Sequence, residues 1–118
     1  MVDVNKYATN ENIKFNILTD KKMKEIGFNK VDTNKWYFFR YLKCNREISF
    51  NCTIYIDDNE VDISTIDEDF GQHYDYQSLL KNSPNFIFIL KVKEEVEMFI
   101  KYLKDNGVIY GHNYGEYI

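Results

Sequence analysis

From Glu47 to Asp69 apolar and polar residues alternate with a period of two. Ile48, Phe50, Cys52, Ile54 and Ile56 fall on one side of an extended chain, and Glu47, Ser49, Asn51, Thr53 and Tyr55 on the other. That is the pattern of a strand with one face in a core. Asp58 and Asn59 then supply two residues that tolerate the positive φ of a tight turn. A two-residue loop there sets Ile56 opposite Val61, Ile54 opposite Ile63 and Cys52 opposite Thr65, so both strands of the hairpin bury the same side. Trp36 to Leu42 (WYFFRYL) reads as an earlier strand with rings on both sides. A two-residue turn at Cys44-Asn45 sends Tyr37, Phe39 and Tyr41 inward; a three-residue turn sends Trp36, Phe38 and Leu42 inward. Under either register large rings remain on the other side beside Tyr55. They are either covered by the N-terminal arm or a helix, or exposed for a partner.

Helical periodicity flanks these strands. Thr19 is a good N-cap, Leu18 before it can staple onto Met23, and Gly27 stands where a helix end needs positive φ. Met23 and Ile26 are the core positions of this two-turn helix. Tyr76 to Asn82 predicts a second short helix, and Phe70 to Asp75 a loop with a Gly hinge. Ser83-Pro84 opens a longer helix, taken here as running from Pro84 to Asn106, although Phe86 to Leu90 also has strand propensity. Val92, Val96, Phe99, Ile100 and Leu103 form its apolar stripe. Lys91/Glu95, Lys93/Glu97 and Glu97/Lys101 are spaced for surface pairs, and Gly107 closes the helix. Residues 1–18 are a loosely docked arm or an edge strand through Ile13, Phe15 and Ile17. The aromatic tail from Val108 to Ile118 is expected to pack back. The expected fold is α+β: a three-stranded antiparallel meander with helices before and after, in two layers, with residues 1–118 as one domain.

Composition adds bounds. A chain of 118 residues with 44% hydrophobic and 17% aromatic content has material for a core. No apolar run approaches the roughly 18 to 20 residues that span a bilayer. The start, MVDVNKYATNENIK, lacks the basic and apolar regions of a secretory signal. The expected location is therefore the cytoplasm, with no membrane partner. Cys44 and Cys52 lie too far apart along neighbouring strands to bridge, and two cysteines without a CxxC make no zinc site. They are expected to be reduced thiols. Around LTDKKMKEIGF and DNGVIYGHNYGEYI the chain resembles small uncharacterised proteins of low-GC Gram-positive bacteria and their phages. That resemblance covers no catalytic motif and implies no activity.

Charge is the sharpest functional signal. The net charge of −4 hides an asymmetry. Between Arg46 and Lys81 there is no Lys or Arg. Those 34 residues hold nine acids, and the rest of the chain, with 15 basic and 10 acidic residues, stands at +5. The hairpin therefore projects a negative field. Read functionally, Asp57, Asp58, Glu60, Asp62, Asp67, Glu68 and Asp69 form a surface for an unknown protein with a basic surface. Such a surface resembles the phosphate spacing of nucleic acid. Trp36, Tyr37 and Tyr55 are the candidate anchors, since interface hot spots favour Trp and Tyr. The exposed rings and aromatic tail also leave a homodimer open. A hard cation at Asp57, Asp58, Glu60 and Asp62 fits poorly, because Asp57 lies across the turn and no loop matches an EF-hand. No cofactor or metal is expected. The alternative is a small hydrolase or metal-dependent enzyme using Asp67, Glu68, His73 and His112. Direct nucleic-acid binding is disfavoured. The helix–three strands–helix order resembles the double-stranded RNA-binding domain, but the last helix begins Lys93-Glu94-Glu95 and the sheet edge repels phosphate. The reading is a non-enzymatic acidic interaction module, an accessory protein of a bacterium or its phage.

Overall fold

In the computed structural model, residues 13–16, 18–82 and 87–111 are described. In chain order they form β1 (Ile13–Phe15), α1 (Asp20–Ile26), β2 (Asn29–Asp32), β3 (Lys35–Tyr41), β4 (Ile48–Tyr55), β5 (Glu60–Asp67), β6 (Gln72–His73), α2 (Tyr76–Asn82), α3 (Ile87–Asp105) and β7 (Ile109–Gly111). Strands β2 to β6 make one antiparallel sheet in sequence order, and β1 pairs with β7 in a second, two-stranded sheet. The α+β class holds, but the expected three-stranded meander is wrong: the main sheet has five strands. The two edge strands escape the hydrophobic pattern for a physical reason. All four side chains of β2 and both of β6 are exposed, so these strands pair through their backbones without burying an apolar face and no apolar alternation announces them.

The core lies on one face of this sheet. Phe38 from β3 and Phe50 from β4 meet Phe99 of α3, the two β-strand rings edge-on to each other at 6.0 Å and Phe50 stacked on Phe99 at 5.2 Å. Phe28 and Tyr102 complete the ring around Phe38. Ile89, Val92, Val96, Ile100 and Leu103 recur at helical spacing and are all buried. That periodicity decides Ile87 to Leu90 for helix over strand; residues 83–86 lie outside the described region. Lys93 pairs with Glu97 at 2.7 Å, as the spacing suggests, whereas Lys101 turns to Asp105 and Glu95 leaves the helix surface altogether. At α1 the Thr19 side chain accepts from the Lys22 N–H, Met23 and Ile26 are buried, and Gly27 (φ 125) donates back to the Met23 carbonyl. A Cβ at Gly27 would also stand 3.2 Å from the Phe38 ring and closer still to the Arg40 guanidinium. Ile13–Phe15 form β1, which pairs with β7 and lies against β5, and Ile13, Val108 and Ile109 enter the core. Residues 1–12, residue 17 and the tail beyond Gly111 lie outside the described region.

Two registers deserve comparison with the sequence. Strand β3 takes the three-residue-turn register, with Trp36 opposite Ile54 and Phe38 opposite Cys52, and Trp36, Phe38 and Leu42 are buried. Trp36 is thus a core residue and no partner anchor. The β4–β5 hairpin is slipped by two residues from the expected one: Ile54 faces Val61 and Cys52 faces Ile63. Its loop is Ile56 to Asn59, closed by the Asn59 N–H on the Ile56 carbonyl at 3.2 Å, with Asn59 at φ 52. Ile56 donates its N–H to the Asn34 carbonyl, and Asn34 Nδ2 binds the Asp57 carboxylate at 2.6 Å, so the neighbouring turn holds the longer loop open. A slip of two leaves each side chain on its original face; Ile54 and Ile63 are buried while Asp62 is exposed and Tyr55 half-buried.

The β3–β4 turn is pinned from α3. Both Glu95 oxygens accept backbone N–H groups, from Lys43 and Cys44, each at 2.7 Å. Partial burial pushes the Glu95 carboxyl up, but the Cys44 thiol and the two backbone donors outweigh it and bring it below its ordinary value. Burial first, and then the contact with Glu95, raise the Cys44 thiol to about 11.

Two measurements check this account. Phe38→Ala should destabilise the protein by about 3 to 5 kcal/mol in denaturant titration, as removal of a core aromatic does. Glu95→Gln should cost about 1 to 2 kcal/mol near neutral pH, where a charged acceptor serves two backbone donors. Because the folded-state value of Glu95 lies below the ordinary 4.5, its contribution is complete above that pH and fades as pH falls through the folded value. The gap between wild type and variant should therefore narrow on acidification. A gap that stays constant below pH about 4 would contradict the pinning by a charged Glu95.

Candidate functional site

Because Trp36, Phe38 and Leu42 turn inward, Tyr37, Phe39 and Tyr41 must turn outward, and the pairing lays them out in rows. Across the outer face run Lys35–Tyr55–Glu60, Tyr37–Thr53–Asp62, Phe39–Asn51–Ser64 and Tyr41–Ser49–Ile66–His73. The Glu68 N–H donates to the Glu47 carbonyl at 2.7 Å, which extends the alternation one residue past β5 and places Glu68 on this face too. The result is three parallel tracks: rings on β3, short polar side chains on β4, and acids with Ile66 along β5.

The middle track is organised by hydrogen bonds that all run one way. The Tyr37 hydroxyl donates to Asn51 Oδ1, Asn51 Nδ2 donates to Ser49 Oγ at 2.9 Å, and Ser49 Oγ donates to Glu68 Oε1 at 2.5 Å. Ser49 and Asn51 are buried and Tyr37 and Phe39 half-buried, while Tyr41 is 50% exposed. A relay in which every donor points toward Glu68 suits an ionised carboxylate at its end, since such a group only accepts. Burial raises the Tyr37 phenol above its ordinary value, and the charge of Glu68 raises it further. The rings form a continuous wall: Tyr37 to Phe39 is 6.1 Å, and Phe39 meets Tyr41 edge-on at 4.8 Å. Among the described residues no helix makes a ring contact or hydrogen bond to this wall or to the relay. These rings also stand apart from the hydrophobic core cluster.

The face already holds one cation against a ring. Lys35 Nζ lies 5.3 Å from the centre of Tyr55, within the range of a cation–π contact. Lys35 is the one Lys or Arg in the four rows, while Glu60, Asp62 and Glu68 stand on the same face. Among the described residues no Lys, Arg or His forms an ion pair with Glu68.

The residues singled out from the sequence divide accordingly. Tyr37, Tyr55, Glu60, Asp62 and Glu68 share the outer face. Asp57 and Asp58 lie at the hairpin tip, where Asp57 is engaged by Asn34. At the opposite end Asp67 Oδ1 accepts the Asp69 N–H at 3.1 Å. There the Glu47 carboxyl is raised by a hydrogen bond with Asp69 and by that group's charge. Of the alternative cluster, Glu68 and His73 lie on the outer face, Asp67 falls on the other side of the alternation, and His112 is outside the described region. Among the described residues no group of three or more His, Cys, Asp or Glu side chains is placed to hold a metal ion. Cys44 and Cys52 are free thiols. No helix among the described residues is long and apolar enough to cross a membrane. Sequence reasoning missed Phe39, Tyr41, Ser49 and Asn51. The available signal was Ser49, Asn51 and Thr53 recurring at alternate positions within the most apolar strand.

Neither a protein-family model nor a curated protein matches the chain. The fold is similar to the crystal structure of a DUF1831 family protein from Lactobacillus plantarum, with a TM-score of 0.63 at 12% identity over 87% of this chain and 90% of that one. That neighbour comes from a low-GC Gram-positive bacterium, the group the sequence resembles. At this identity the likeness is one of fold.

The relay predicts a linked titration. Glu68→Gln removes a negative charge that holds the Tyr37 proton, so the Tyr37 phenol should titrate at lower pH than in the wild type, followed by NMR of ring-labelled tyrosine. An unmoved Tyr37 would separate the two groups. Asn51→Ala, which leaves the Tyr37 hydroxyl without its acceptor and Ser49 Oγ without its donor, should cost about 1 to 3 kcal/mol.

Proposed function

We propose that this chain is a non-enzymatic binding module that recognises a basic segment of a protein partner on the outer face of its sheet. The observation that carries the reading is the shared face: the Tyr37–Phe39–Tyr41 wall and Tyr55 stand beside the acids of β5 and Glu68. Rings supply contact area at low entropic cost, and carboxylates at their margin select and steer positive charge. Phosphates laid on the same face would meet Glu60, Asp62 and Glu68, which favours a protein over a nucleic acid. A protein surface that itself grips nucleic-acid phosphates has the complementary chemistry, so the acidic hairpin suits a mimic of that ligand. Nothing in the fold speaks to a phage origin, and none is proposed.

The test is charge reversal at the hairpin end of the face. Asp58→Lys with Glu60→Lys should abolish capture of a partner by the immobilised protein and leave stability within about half a kcal/mol per site, as exposed substitutions usually do. Wild-type association should slow as salt rises past physiological levels. Undiminished capture by the folded double variant would sink the acidic-face reading.

A further inference from the structure

The relay does more than decorate the face: it fixes one carboxylate at the foot of an aromatic wall. Glu68 is exposed and flanks a loop, a setting in which a glutamate side chain would ordinarily sample many rotamers. Here its Oε1 is tied to Ser49 at 2.5 Å. Ser49 is held by Asn51 at 2.9 Å, and Asn51 in turn by Tyr37. Ser49 is the cross-strand partner of Tyr41, so the carboxylate is anchored beside the most exposed ring of the wall. Among the described residues no donor other than Ser49 is hydrogen-bonded to this carboxylate.

We infer that Glu68, with the Tyr41 and Phe39 rings, forms a subsite for one arginine side chain of the protein partner. This rests on the basic-partner reading and names its chemistry. Three observations select a guanidinium. The carboxylate is pre-set and has no ion-pair partner among the described residues, so an incoming cation displaces none of those. Adjacent rings offer π surface, over which a guanidinium stacks while its N–H groups reach the carboxylate edge. The chain's own Lys35 on Tyr55 shows the same face accepting a cation over a ring. Arg is favoured over Lys because a planar fork can stack and donate at once, whereas an ammonium is a compact, strongly hydrated charge.

The experiment uses the full chain, isotope-labelled, titrated with acetyl-(Gly-Arg)3-amide and with acetyl-(Gly-Lys)3-amide. The arginine peptide should shift the amide signals of Tyr41, Ser49 and Glu68 and bind several-fold more tightly than the lysine peptide. Glu68→Gln, which keeps an acceptor for Ser49 but removes the charge, should weaken the arginine peptide about tenfold and erase its advantage. Tyr41→Leu should weaken it severalfold. Glu94→Gln on the outer side of α3 should change nothing. If arginine binding on this face survives Glu68→Gln, or the two peptides bind alike, the subsite is overturned while the basic-partner reading stands. If neither peptide perturbs the face, both fall.

Discussion

The contact of Phe38 and Phe50 with Phe99 is the constraint from which the rest of this structure follows. It joins the sheet to α3 with rings 5.2 to 6.3 Å apart. Because side chains alternate along a strand, seating Phe38 inward compels Tyr37, Phe39 and Tyr41 outward. The aromatic wall is therefore a geometric by-product of the core. A chain with rings at five of seven consecutive positions from Trp36 to Leu42 cannot hide them all with one helical layer.

Strand β4 carries the second consequence. Flanked by strands on both sides and covered on one face, it buries every residue from Ile48 to Ile54. Its outward positions are short and polar, so they lie below the level of the neighbouring rings and satisfy one another by hydrogen bonding. Buried polar groups must find partners, and here they find them in a line ending at Glu68. An exposed carboxylate thereby inherits order from a buried strand. Glu95 does the same service on the other side of the molecule, where it closes the β3–β4 turn through two backbone N–H groups.

Electrostatics then gives the outer face its sign. Apart from Lys35, which lies over Tyr55 on this face, several basic residues are engaged elsewhere: Lys93 and Lys101 pair along α3, Lys30 reaches Asp20, and Arg40 lies over Phe38 on the core side. The acids of β5 and the following turn have no such company in their own stretch of sequence, which lacks Lys and Arg between Arg46 and Lys81. Negative charge beside π surface is a combination suited to cations, and it is the ground on which the binding reading stands.

What the sequence determined by itself were the faces. Alternation in Ile48 to Ile56 and helical spacing in Val92 to Leu103 report which side of an element is apolar, and burial of that side is a local property of the pattern. The hairpin slipped by two residues without moving a single side chain across the sheet, because faces depend on parity alone. Thr19 and Gly27 likewise act within one helical turn and were legible as caps. Tertiary structure alone decided what lies opposite what. It chose between the two registers of β3 and so buried Trp36. It paired β2 and β6 at the sheet edges by backbone bonds that leave no trace in hydrophobicity, and it drew Glu95 away from Lys91 to the β3–β4 turn. The relay from Tyr37 to Glu68 joins residues 31 positions apart whose only shared property is the face they stand on, and it crosses successive rows of that face. No local pattern encodes that neighbourhood, since it exists only once three strands are in register.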